Sequence, residues 1–143
     1  MNVYEPLQPI TCAGALEILE RGDSDELLLL PLRIGEFISD WKTAQNLCLR
    51  LCRNDNPAIR ANAVLGLSYI ARTCGKLDRE LVEPVLTGEL KDNETFRWRI
   101  MDTIDDINLY LGWNAAERIM AEYSEDYLTY DSGDDGESVG TCE

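Results

Sequence analysis

Asn54-Asp55-Asn56-Pro57-Ala58-Ile59-Arg60 opens a stretch, residues 54–112, in which one pattern is written twice. The first copy continues through Ala63, Leu67 and Ile70. The second begins Lys91-Asp92-Asn93-Glu94-Thr95-Phe96-Arg97 and continues through Ile100, Ile104 and Ile107. The offset is 37 residues, so Asp55 matches Asp92, Asn56 matches Asn93, Ile59 matches Phe96 and Arg60 matches Arg97. A repeat of this length built from helical segments reads as a solenoid, because each unit buries its apolar face only by stacking on the next. The expected fold is therefore all-α, an αα-superhelix of six or seven helices.

Working outward, the helices follow from apolar spacing and stop signals. Thr11 is placed to cap a first helix, Cys12 to Arg21, which Gly22 ends. Asp23 to Glu26 put acidic residues at the start of a second, with body Leu27 to Ile38. Pro31 falls inside it and is expected to kink or split it. Ser39 or Asp40 caps a third helix, Trp41 to Arg53. Asn56 caps the fourth, with Pro57 in its first position, where a missing N–H costs nothing. This helix runs to about Thr73, is apolar around most of its circumference, and is expected to be sandwiched between neighbours. Asp78 caps a fifth helix and Asn93 a sixth, Glu94 to Leu111, with Phe96, Ile100, Ile104, Ile107 and Leu111 inward. Gly112 stops it, and a short last helix covers Ala115 to Tyr123. The repeat domain is thus expected over 1–121. Residues 122–143 hold eight acidic residues and no basic one, with little apolar content, and read as a mobile tail.

The net charge is −14 in 143 residues. Such a balance repels nucleic acid and anionic membranes and suits a basic protein partner. The longest apolar run, Leu27–Leu32, is too short to span a bilayer, and Met1–Ile10 lacks a basic region before an apolar one. The expected compartment is the cytoplasm. There is no histidine, which removes histidine bases, triads and metal ligands. Cys12, Cys48, Cys52, Cys74 and Cys142 match no zinc or disulfide spacing, and Cys48 with Cys52 read as small core residues on one helix face. No metal or cofactor is expected.

Asn56-Pro57-Ala58-Ile59-Arg60-Ala61-Asn62-Ala63, with Leu65-Gly66-Leu67 and Ala71-Arg72, resembles a HEAT repeat. The copy at 93–111 is degenerate, with Trp98 and Ile100 where small residues are usual. The resemblance covers about residues 39–112, with 11–38 as a worn first unit. It implies that Asp55 with Arg60, and Asp92 with Arg97, form a structural ladder between repeats. The runs Asp40-Trp41 with Leu47 to Leu51, Ala71 to Asp78, and Asp102 to Ile107 are further similar to small bacterial HEAT-like proteins. Some of these are immunity proteins of polymorphic or contact-dependent growth inhibition toxin systems. That resemblance implies a non-catalytic protein that binds a cognate toxin, a basic nuclease above all, and blocks its active site. A HEAT-like adaptor without inhibitory role is the alternative.

The residues that would carry binding lie on the sixth helix. Trp98, Asp102, Asp105 and Leu109 share one face, Asp106 lies beside them, and Tyr69 is a further candidate on the adjoining helix. An aromatic flanked by acids suits a basic partner; a merely solvated acidic face fits the same residues. Neither a nucleophile nor a phosphate loop accompanies the aspartates, so paired catalytic carboxylates are not supported. Asp131 to Glu137 lacks the ligand spacing of a calcium loop. Arg50, Arg53, Arg72 and Lys76 sit at helix ends, where cations complement the dipole.

Overall fold

The computed structural model describes residues 6–123. It contains α1 (Cys12–Arg21), α2 (Ser24–Phe37), α3 (Trp41–Leu51), α4 (Pro57–Cys74), α5 (Arg79–Asp92) and α6 (Arg97–Leu111). A further helical segment covers 117–123, and no strand occurs among the described residues. The expected tail beyond residue 123 lies outside the described residues.

Local chemistry sets most boundaries. Thr11 Oγ1 accepts from the Gly14 amide at 3.0 Å, Asp23 Oδ1 from that of Asp25 at 2.9 Å, and Asn56 Oδ1 from that of Ala58 at 2.8 Å. These bonds satisfy amides that the first helical turn leaves open. α1, α4 and α6 each end on a glycine in the left-handed region, Gly22, Gly75 and Gly112. Asp40 and Asp78 occupy cap positions without capping through their side chains. Asp40 instead accepts from Thr43 Oγ1 at 2.6 Å. At the start of α5 it is the Asp78 amide that donates, to Gln45 Oε1 of α3.

Three expectations are corrected. Pro31 does not split α2, which is continuous over 14 residues. Leu27, Leu30, Pro31, Ile34 and Gly35 are all buried, so tertiary packing outweighs the hydrogen bond that proline removes. The sixth helix starts at Arg97, not Glu94, and Asn93 is not its cap. Asn93 ends α5 and is almost fully buried. Its Nδ2 donates to Pro57 O at 2.9 Å and to Glu89 Oε1 at 3.2 Å. An asparagine so engaged cannot reach forward, and the intervening residues form a turn. The last segment likewise starts later than Ala115, because the Asn108 side chain binds both the amide and the carbonyl of Ala115.

α4 lies at the centre, packed mainly on α2, then on α6 and α3, with α5 packed on α6. Ten of its 18 residues are buried, as its broad apolar circumference requires. At the α2–α4 crossing the two backbones meet through glycine. A Cβ on Gly66 would lie 2.6 Å from Pro31 O, and one on Gly35 would lie 2.6 Å from Gly66 O. No carbon fits at that distance.

Polar bonds tie successive hairpins. Asn62 of α4, itself buried, donates to Leu28 O of α2 at 2.7 Å and accepts from Arg99 Nη2 of α6. Arg72 pairs with Glu36 at 3.1 Å. The repeated arginines clamp the turns that precede their helices, and Arg60 also reaches the next hairpin. Arg60 donates to the Asn54 and Asp55 carbonyls and crosses to Glu89 of α5 at 3.1 Å. Arg97 donates to the Leu90 and Lys91 carbonyls, both at 2.8 Å. The acceptors are main-chain oxygens and a glutamate, not the carboxylates of Asp55 and Asp92. A guanidinium at the start of a helix is within reach of the carbonyls left open where the preceding helix ends.

The glycine crossing gives a paired test. Gly66→Ala should lower unfolding free energy by about 1–3 kcal/mol, because the methyl meets backbone rather than a movable side chain. Gly88→Ala in α5, where a Cβ meets nothing within 4 Å, should raise it by about 0.4–1 kcal/mol. Urea titration of both variants measures the difference, and a neutral Gly66→Ala would contradict the close approach.

Candidate partner-binding face on α6

α6 carries two stripes with the same spacing. Ile100, Ile104, Ile107 and Leu111 recur at steps of 4, 3 and 4 and face the core, the first three fully buried. Trp98, Asp102, Asp105 and Leu109 recur at the same steps and are all exposed. The helical period puts the second set opposite the first. Trp98 is 47% exposed and Leu109 78%. Asp106 is exposed beside Asp102, and Tyr110 is 43% exposed. Tyr110 was not singled out by sequence; its place outside the core stripe was the available signal.

Tyr69 has a different setting. It lies at the α2–α4 crossing, where a Cβ on Gly35 would fall 2.7 Å from its own Cβ. The Arg72 guanidinium stands 4.9 Å from its ring centroid. No hydrogen bond joins it to the three aspartates. What links α4 to α6 on this side is Asn62, through Arg99. The repeat arginines also lie apart from the stripe: Arg60 is committed to Glu89, and Arg97 stacks over Tyr123 at 4.2 Å.

The electrostatics of the stripe are one-sided. The ion pairs among the described residues are Arg21–Glu26, Arg60–Glu89, Arg72–Glu36 and Arg79–Glu83. None includes Asp102, Asp105 or Asp106. Residues 100–123 contain five acidic side chains and one basic, Arg118. Partial burial raises the Asp105 carboxyl above its ordinary value, and the charges of Asp102 and Asp106 raise it further. Like charges three and four residues apart on a helix are destabilising.

The buried thiols have no comparable chemistry. Burial, then the negative charge of Glu89, pushes Cys52 up to about 12 against the opposing effect of Arg60. Burial, then Cys52, raises Cys48 well above the usual thiol range. Both stay protonated at neutral pH, and a protonated thiol is a poor nucleophile and metal ligand. Among the described residues no cluster of three or more Cys, Asp or Glu side chains is arranged to hold a metal ion, and no helix is long and apolar enough to cross a membrane. A cleft of about 480 Å³ lies between the N-terminal segment, α1 and α2. Its arginines are already engaged, Arg21 with Glu26 and Arg33 with the Gln8 and Pro9 carbonyls.

No protein-family model matches this chain, and comparison with curated proteins and with solved structures likewise gives no match.

The Asp105 shift carries a pH signature. Its folded-state value is raised, so its contribution favours the fold below the unfolded-state value and is lost as pH rises through the folded one. Asp105→Asn removes that loss. Its thermal midpoint should exceed the parent's at pH 7, and the gap should close at about pH 2.5, where the aspartate is protonated. A gap that persists in acid would mean the effect is not electrostatic.

Proposed function

We propose that this chain is an acidic immunity protein of the cytoplasm. It binds a basic toxin domain, a nuclease in the simplest case, and neutralises it by covering the active site or the substrate groove. The observation that supports this reading is the α6 stripe: three exposed carboxylates without ion-pair partners among the described residues, flanked by exposed Trp98 and Leu109. A nuclease must present cationic groups to phosphate. Carboxylates on a rigid helix offer those groups a competing anion and steer the encounter. Exposed apolar side chains next to them supply area that becomes dry on contact. The chain contributes no catalytic step in this account; it acts by occupancy. The helical stack acts as the support that keeps the stripe straight.

The test is co-expression with the adjacent reading frame of its genome, purifying through a tag on one partner. Expected is a one-to-one complex that weakens with salt, with a neighbour toxic alone and harmless beside this chain. Replacing Asp102, Asp105 and Asp106 together by Asn should abolish protection while leaving the fold intact by circular dichroism. A neighbour that is harmless alone and fails to co-purify would remove the inhibitor reading and leave that of an adaptor.

A further inference from the structure

We infer that the partner element held by α6 is a basic amphipathic helix, lying along the Trp98–Leu109 stripe. This rests on the reading of that face as the partner surface and specifies what occupies it. The stripe is an apolar residue, two acids and an apolar residue at steps of 4, 3 and 4. It extends about 16 Å at the helical rise per residue. It is a ridge of a single helix, exposed along its length.

A ridge of this kind is complemented by another helix, whose side chains at three- and four-residue spacing interdigitate over two to three turns. An apolar, basic, basic, apolar pattern at the same steps sets cation against Asp102 and Asp105 and apolar groups against Trp98 and Leu109. Tyr110 and Asp106 flank the contact on one side. The spacing reads the same in both directions, so the partner helix fits parallel or antiparallel.

Other occupants fit less well. An extended peptide gains its affinity from a sheet edge, and the described residues contain no strand. A second copy of this chain would set aspartates against aspartates. A nucleic acid would meet the same repulsion.

The test is fluorescence anisotropy with the full chain and labelled synthetic peptides. One peptide is a helix-forming lysine–leucine sequence with leucine, lysine, lysine and leucine at steps of 4, 3 and 4. The other has the same composition, scrambled so that these residues share no face. The matched peptide should bind about tenfold or more tightly than the scrambled one. Leu109→Ser and the double variant Asp102→Asn/Asp105→Asn should each weaken it by a similar factor, and salt should weaken only the aspartate-dependent part. Both substitutions lie on exposed positions, and circular dichroism verifies that α6 persists. Equal binding of the two peptides, no binding of either, or indifference to both variants overturns the inference. Its failure is separable from that of the proposed function. Toxin neutralisation without preference for the matched peptide removes the helix and leaves the immunity role. Preference for the matched peptide with a harmless genomic neighbour does the reverse.

Discussion

Everything else in this structure depends on how closely α2 and α4 approach. Gly35 and Gly66 are each placed so that a single methyl would collide with the opposite backbone. Removing the side chains at that point lets the helices touch main chain to main chain. α4 then contacts α2, α3 and α6 together, which is why so much of its circumference is buried. Pro31 belongs to the same contact, since its carbonyl is what Gly66 faces. A proline that would break an isolated helix is held in place by the contact it helps to form.

Around that crossing, polar side chains fix register where apolar packing alone would allow sliding. Asn62 is bonded to α2 and to α6 at once, and Gln45 joins α3 to the start of α5. Arg60, Glu89 and Asn93 form a largely buried network at the start of α4. Its cost is visible, since Asn93 Oδ1 is buried without a hydrogen-bond partner among the described residues. Directional bonds of this kind contribute little net free energy when made and cost more when broken, so they select one arrangement over near alternatives.

The sequence was legible where physical rules are local. Helix spacing, the Thr11 and Asn56 caps and the Gly22 and Gly112 stops needed only neighbouring residues to be read. It was less legible where a residue answers to something distant. Asn93 is a residue type that favours N-caps, and it matches Asn56, which is one. The Pro57 carbonyl and Glu89 draw it elsewhere. Gly35 gave no local sign of its role, because the need for it lies in α4. Arg60 and Arg97 stood out as a repeated pair, but the carbonyls and the glutamate that they bind could not be read from the repeat. On α6 the stripe followed from period alone, since both its core and its outer face repeat at the same steps. Tyr69 could not be placed that way, because which side of α4 meets α2 depends on the crossing.

The uneven spread of charge along the chain has a consequence for motion before contact. Residues 100–123 contain five acidic side chains and one basic, whereas residues 6–99 contain 14 acidic and 12 basic. The earlier hairpins are close to electroneutral by comparison. A body charged this way has a large electric dipole as well as a net charge. In the field of a cationic surface it experiences a torque as well as an attraction, and it turns its α6 end forward once the gap falls to about a Debye length. Orientation is then settled in the last ångströms of approach, and fewer encounters end with α1 and α2 facing such a surface.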